Sequence, residues 1–191
     1  KVRGARMTGI GGEVQEFDRA ALEPHQQVVV TLSKGGYIKR IPAETYRSQH
    51  RGGKGVVSMR RKEDDPVRHI LVMDTHDTLL FFTDRGRVLP LKSYDLRGDT
   101  SRSTKGVPVV NVIPINDGEA VNAVIGVSDL KQDNLFLVMA TRTGTVKRIA
   151  LEQISSVRRS GVIVMNLRSD DELVTARLAK GDDDVMMVSE E

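Results

Sequence analysis

Hydrophobic and polar residues alternate along this chain in a pattern that recurs three times. Two apolar runs joined by a short polar turn predict a β-hairpin at 28–41, at 79–91 and at 135–149. Each turn ends in a glycine, Gly36, Gly86 or Gly144, which supplies the positive φ that a tight hairpin needs. A repeat of roughly 50 residues lies in the range of units that stack around an axis.

Each hairpin is followed by the signals of two more strands. A glycine opens the third strand at Gly55, Gly106 and Gly161. An acidic turn then precedes a fourth strand, which we expect at 67–73, 120–127 and 173–178. Four strands in each repeated unit predict an all-β, propeller-like architecture, which leaves only short sheet edges.

The repeat also predicts how the domain is organised. We expect a single domain with a lead-in strand or loop at 1–27, repeats at 28–77, 78–133 and 134–182, and the start of a fourth repeat at 183–191. Its first strand would lie at 184–188. Because the chain begins with Lys1 and stops early in a repeat, we expect a segment of a longer array, truncated to about three blades. Single helical turns are expected only at 42–46 and 151–154.

Composition narrows the class of protein. Hydrophobic residues make up 39% and charged residues 29% of the 191 residues, which is typical of a globular domain. The longest apolar run, 135–140, is too short to cross a bilayer. No cysteine occurs, and neither the four histidines nor the aspartate clusters have the spacing of a metal site. No combination of residues indicates a catalytic centre.

Charge is distributed unevenly along the chain. Nine cations and one anion lie between Lys34 and Lys62, whereas eight anions and two cations lie between Ser169 and Glu191. The basic region therefore indicates a polyanionic partner. A solvated surface without a partner is the alternative that charge alone leaves open.

The strongest candidate site is the basic, glycine-rich segment 49–55. It consists of Gln49, His50, Arg51, Gly52, Gly53, Lys54 and Gly55. It lacks the serine or threonine of a nucleotide P-loop and is not followed by a helical pattern. A plain turn would need one glycine rather than three. Contact with a nucleic-acid backbone uses every residue, because the cations pair with phosphates and the amides donate hydrogen bonds.

Cations recur at related positions of the three units. We predict that they form a curved basic stripe along one rim, which suits wrapped duplex DNA. Aromatic residues make up only 4% of the chain, so single-stranded nucleic acid, which binds by stacking, is less favoured. The predicted stripe consists of Lys39, Arg40, Arg47, Arg85, Arg87, Arg102, Lys105, Arg142, Lys147, Arg148, Arg158 and Arg159.

These residues carry a resemblance to a known family. The runs 28–40 and 46–55, with the later hairpins 83–91 and 140–149, resemble the carboxy-terminal domain family of DNA gyrase A. The family's signature is a Gln-Arg-Arg-Gly-Gly-Lys-Gly box, to which segment 49–55 corresponds. His50 stands where the family usually has arginine or lysine. This substitution costs a permanent charge near neutral pH.

The resemblance implies a β-pinwheel whose blades exchange strands and which wraps duplex DNA around a basic rim. The parent would be an ATP- and Mg²⁺-dependent heterotetramer of the bacterial cytoplasm, associated with the nucleoid, that introduces negative supercoils. Gyrase B would be reached through the rest of gyrase A, and the catalytic tyrosine and ATPase site would lie elsewhere. The segment itself would need no cofactor, would have no catalytic activity or membrane contact, and would be monomeric in isolation. Two alternatives remain open: the related component of topoisomerase IV, and a propeller that binds proteins.

Overall fold

A computed structural model of the chain describes residues 19–46, 65–101 and 103–188, and these residues are mainly β-structure. The described strands are β1 (Gln27–Ser33), β2 (Tyr37–Pro42), β3 (Val67–Asp74), β4 (Thr78–Thr83), β5 (Arg87–Lys92), β6 (Val107–Pro108), β7 (Val121–Val127), β8 (Leu135–Thr141), β9 (Val146–Ala150), β10 (Val162–Ile163) and β11 (Leu173–Lys180). One short α-helix, α1 (Arg19–Leu22), precedes them. Among the described residues, four 3-10 turns lie between strands, at Ala43–Tyr46, Ser93–Asp95, Val109–Asn111 and Leu151–Ile154. The all-β prediction is confirmed.

The described strands form three antiparallel sheets. The first has the order β3-β1-β2-β6, the second β10-β5-β4-β7 and the third β11-β8-β9. The three predicted hairpins are therefore confirmed as β1–β2, β4–β5 and β8–β9. Their turn glycines have φ values of 79°, 73° and 85°.

The third strands β6 and β10 do not pair with the hairpins that precede them in the chain. β6, which follows the second hairpin, pairs with β2 of the first sheet. β10, which follows the third hairpin, pairs in the same way with β5 of the second sheet. Each exchanged strand thus completes the preceding sheet, as in the blade exchange that the resemblance implies.

Glycine opens both exchanged strands because the chain approaches the neighbouring backbone closely there. Gly161 has φ 79°, and a Cβ at this position would lie 2.7 Å from the Val88 carbonyl oxygen. Gly106 has φ 83° and would press a Cβ against the Ile38 carbonyl oxygen in the same manner. A side chain at either position would push the exchanged strand away from its sheet.

In the part of the chain that the structure describes, two hydrophobic cores lie between successive sheets. Because successive side chains of a strand point to opposite faces of the sheet, β4 contributes side chains to both cores. Leu79 and Phe81 pack with residues of the first sheet, whereas Leu80 and Phe82 pack with residues of the third. Both phenylalanines are fully buried, and truncating such a side chain to alanine costs about 3–5 kcal/mol. The sheets are therefore held to one another largely by apolar burial.

Some elements differ from the sequence predictions. Residues 184–188, expected to begin a fourth repeat, contain no strand, and Met186 and Val188 are both 89% exposed. Every first strand of the three sheets pairs on both sides, and within the described residues 184–188 has no such neighbours. Helix α1 and the turns Ser93–Asp95 and Val109–Asn111 are too short to leave a periodic signal. No helix in the described part of the chain has the length and hydrophobicity needed to cross a membrane.

Candidate nucleic-acid interface

The fourth strands lie where successive sheets come closest. β3 lies against β7, and β7 lies against β11. In the first two sheets the exchanged strand occupies the opposite edge. We call that opposite edge the outer edge, and a ligand wrapping around the stack of sheets would meet it.

Two segments of the chain run along the outer edge, and we call them the rim loops. They are residues 97–101 with 103–105, beside β2, and residues 155–160, beside β5. The Asp99 amide donates to the Arg40 carbonyl oxygen at 2.8 Å, which holds the first rim loop to β2. Arg87 Nη2 donates to the Ser160 carbonyl oxygen at 2.9 Å, which holds the second to β5.

The rim loops present exposed cations. Arg97, Lys105, Arg158 and Arg159 are all exposed. The Lys105 ammonium lies 3.7 Å from the centroid of the Tyr37 ring, and Arg159 Nη2 lies 4.0 Å from Asp95 Oδ2. Because both side chains stay exposed despite these contacts, their charges remain accessible to an anionic ligand.

Two of the predicted cations on β2 are buried. Lys39 is 2% exposed and donates from Nζ to the Thr104 carbonyl oxygen at 2.9 Å. Burial lowers the pKa of Lys39, although the charge of Asp99 opposes this effect. Arg40 is 7% exposed and pairs with Glu23 Oε1 at 2.8 Å. Both side chains are committed inside the protein, and we remove them from the interface.

Arg87 on β5 also serves the fold. Its Nη1 lies 2.5 Å from Glu119 Oε2, and its Nη2 reaches the second rim loop. Desolvation would raise the pKa of Glu119, but hydrogen bonds from Thr83 and Asn116 and the charge of Arg87 lower it overall. The carboxylate thus stays ionised, and Arg87 forms an internal ion pair with it that competes with the predicted nucleic-acid contact.

The corresponding cations of the third sheet are exposed. Lys147 and Arg148 lie on β9, which pairs only with β8 among the described strands. Lys147 Nζ donates to the Val164 carbonyl oxygen at 2.6 Å. The Arg148 guanidinium lies 3.9 Å from the centroid of the Phe136 ring. Both residues remain candidates for ligand contact.

Hairpin turns carry a further pair of exposed arginines. Arg85 Nη2 donates to the Asp117 carbonyl oxygen at 2.9 Å, and Arg142 Nη2 donates to that of Asp170 at 2.7 Å. Arg142 also lies 3.6 Å from Glu172 Oε1. These arginines stand beside acidic turns, so their local charge is partly balanced. We rank them below the rim-loop cations.

The acidic turns brace the hairpins, a role that the sequence pattern did not reveal. Asp65 accepts from Ser33 Oγ at 2.7 Å and from the Gly35 amide at 2.5 Å. Asp171 accepts from the Thr143 hydroxyl at 2.6 Å. Desolvation opposes the shift, but hydrogen bonds from Thr143 and Thr141 lower the pKa of Asp171 to about 2. Asp65 and Asp171 therefore stabilise the hairpin turns.

Several predicted contact residues lie outside the described residues. These are Arg47, the whole segment 49–55 and Arg102. Of the predicted stripe, the structure brings Lys105, Arg158 and Arg159 to the outer edge, buries Lys39 and Arg40, and pairs the half-buried Arg87 with Glu119. Arg97 also lies in the first rim loop, because it precedes the same exchanged strand as Lys105. We therefore place it with the cations of the outer edge.

Comparison with known proteins agrees with this architecture. The family model for the DNA gyrase C-terminal domain, a beta-propeller, matches residues 27–72, 77–128 and 136–180. The DNA gyrase A protein of Staphylococcus aureus is 44% identical over 176 residues. This match covers 92% of the chain but only 20% of the relative, so the chain spans about a fifth of the relative's length.

Solved structures give the same result. The C-terminal domain of DNA topoisomerase IV superposes with a TM-score of 0.64 and 28% identity, covering 83% of this chain and 47% of that one. The DNA gyrase A C-terminal domain superposes with a TM-score of 0.63 and 25% identity, covering 82% and 49%. The three matched segments overlap the three hairpins described above, and the chain belongs to the DNA gyrase C-terminal domain family.

Proposed function

We propose that this chain binds duplex DNA along the outer edge of its sheets and bends it. The observation that carries the proposal is the position of the exposed rim-loop cations. Lys105 stands beside the first sheet, and Arg158 and Arg159 stand beside the second. Successive sheets thus offer cations at related positions of one edge, and a duplex must curve to follow them.

Phosphate contacts account for this binding. Lysine and arginine neutralise phosphates and release counterions, so affinity falls steeply as salt rises and depends little on sequence. Bending a short duplex costs on the order of 1–6 kcal/mol, which calls for cations spread over several sheets. Lys147 and Arg148 on the third sheet extend the same edge.

The basic segment 49–55 adds to this surface in our proposal. Gly55 occupies the position in the first repeat that Gly106 and Gly161 occupy in the next two. The preceding residues, among them Arg51 and Lys54, thus correspond in sequence to the cation-bearing rim loops. We propose that they contact phosphates, with Arg47 and Arg102 as flanking contacts.

The parent protein is proposed to be the gyrase A component of a type II topoisomerase. Its strand-cleaving tyrosine, its ATP- and Mg²⁺-dependent steps and its contact with gyrase B are assigned to regions outside this chain, in a heterotetramer of the bacterial cytoplasm and nucleoid. This chain supplies DNA wrapping and is itself monomeric. No step of the strand-passage chemistry is assigned to its residues.

A component of topoisomerase IV is the second candidate, because its C-terminal domain superposes as well as that of gyrase. Sequence favours gyrase: the chain is 44% identical to a gyrase A protein, and 49–55 is close to the gyrase box. The two candidates differ in the reaction that wrapping supports. Gyrase introduces negative supercoils into relaxed DNA.

A topology assay on the parent holoenzyme tests the proposal. The intact enzyme is compared with a variant in which 49–55 is replaced by a glycine-serine segment of equal length, on relaxed and on supercoiled plasmid. We expect the variant to lose supercoiling with ATP and to keep relaxation without ATP. Unchanged supercoiling would contradict the role of 49–55. An intact enzyme that decatenates but never supercoils would favour topoisomerase IV.

A further inference from the structure

The three fourth strands share a β-bulge at the same position. The pairing register shifts between Leu32 and Ser33 in the first sheet and between Phe82 and Thr83 in the second. The third sheet shifts equivalently within 173–175. Each shift leaves one extra residue in the fourth strand, namely Arg68 in β3, Asn122 in β7 and Val174 in β11.

The first two bulged residues reach across to the next sheet. Arg68 Nη1 donates to the Val121 carbonyl oxygen at 3.2 Å, and its Nη2 lies 3.4 Å from Asn122 Oδ1. Asn122 Nδ2 in turn donates to the Leu173 carbonyl oxygen at 2.7 Å. Val121 and Leu173 are equivalent residues, each the first of its fourth strand. The same bond is thus made twice, by two different side chains.

This bond differs in kind from the rest of the contact between sheets. The cores between the sheets are apolar, and apolar burial does not depend strongly on direction. A hydrogen bond to a carbonyl oxygen is directional and holds its partners at a set distance and angle. A β-bulge changes the direction of the side chain of the extra residue, so that it no longer follows the alternation of side chains along the strand. The side chain can therefore point at the neighbouring sheet.

We propose that Arg68 and Asn122 set the angle between successive sheets and thereby the curvature of the DNA-binding outer edge. They act as positioning residues, since they lie on the fourth strands, away from the rim loops. The third bulge carries valine, whose side chain has no donor, so the series of bonds ends at the third sheet within the described residues. The proposal rests on the proposed function for its effect on DNA, while its geometric part stands alone.

Asn122 offers the sharper test, because its bond is the shorter and its removal changes no charge. Asn122→Ala deletes the donor to Leu173 and the acceptor for Arg68. Asn122→Gln keeps an uncharged amide with both groups on a longer side chain, so it should restore part of the function. Asn166→Ala, at an exposed position, is the matched control.

Two measurements separate geometry from DNA contact. Fluorescence transfer between dyes on the two ends of a long duplex reports bending, and affinity for a duplex too short to bend reports direct contact. For Asn122→Ala we expect weaker end-to-end transfer and about fivefold weaker binding of the long duplex, the scale of one hydrogen bond. Affinity for the short duplex should not change. Asn122→Gln should restore part of the bending, and Asn166→Ala should match the original chain.

The angle itself can be measured without DNA. The chain contains no native cysteine, so spin labels at Lys34→Cys and Gln153→Cys report the distance between the first and third sheets alone. We expect Asn122→Ala to broaden that distance distribution. An unchanged distribution, or equal loss of affinity for long and short duplexes, would overturn the proposal. If the original chain fails to bend DNA while the distance still broadens, the proposed function fails and the positioning role survives.

Discussion

Strands β2 and β9 carry the same Lys-Arg-Ile run at the same register, yet the cations have different environments. Lys39 and Arg40 on β2 are 2% and 7% exposed, while Lys147 and Arg148 on β9 are exposed. The difference follows from the neighbouring strand. β6 and the first rim loop cover the outer edge of β2, and within the described residues no exchanged strand pairs with β9.

A cation's role in this architecture is therefore set by the next repeat along the chain. A covered second strand uses its cations to hold the rim loop and the lead-in, as Lys39 holds Thr104 and Arg40 holds Glu23. The rim loop then presents cations of its own. In the first two sheets, the exposed positive charge at the outer edge thus lies on the loop that covers the hairpin rather than on the hairpin.

The largest expected effect comes from breaking the strand exchange. Gly106→Ala should lower the free energy of unfolding by about 3 kcal/mol, because its Cβ would strike the Ile38 carbonyl oxygen at a positive φ. Gly144→Ala is the control: it has a similar φ of 85° and no atom within 4 Å of the added Cβ, so it should cost only about 1–2 kcal/mol. Urea unfolding measures both, and equal losses would contradict the role of the covering strand.

The next effect compares the two arginines directly. Arg40→Met should lower the free energy of unfolding by about 1–3 kcal/mol, since it leaves Glu23 without its buried partner. Arg148→Met should change it by less than about 0.5 kcal/mol, because an exposed side chain contributes little. Thermal melts of the two variants provide the measurement. A larger loss of stability for Arg148→Met than for Arg40→Met would contradict the account that β2 is covered and β9 is exposed.

A smaller effect is expected in the pH dependence of stability. Burial lowers the pKa of Lys39 in the folded chain from 10.5, so between the folded pKa and 10.5 the unfolded chain holds more protons. Lys39 therefore adds a contribution to stability that grows as pH rises through this window. Urea unfolding of the original chain and of Lys39→Met at several alkaline pH values isolates this contribution. Parallel curves for the two proteins would show that Lys39 is not desolvated.

The sequence predicted the parts of this fold that depend on local residues. The hairpins follow from apolar runs and turn glycines, and Gly106 and Gly161 mark strand starts because of their backbone conformation. The pairing of β6 with the first sheet could not be derived from the hydrophobic periodicity of the sequence. β6 would show the same pattern of residues if it paired with the second sheet. The burial of Lys39 and the bulge at Asn122 were missed for the same reason: both depend on which neighbour is placed against them.

The central claim is that exposed cations at the outer edge bind phosphates, whereas exposed cations on the opposite edge do not. The direct test is the salt dependence of affinity for a duplex. Arg158→Gln/Arg159→Gln removes two charges from the second rim loop, and Arg177→Gln/Lys180→Gln removes two exposed charges from β11, on the opposite edge. The account predicts that the first pair lowers the slope of log affinity against log salt by about 1.8 and the second leaves it unchanged. Equal slopes for the two pairs would contradict it.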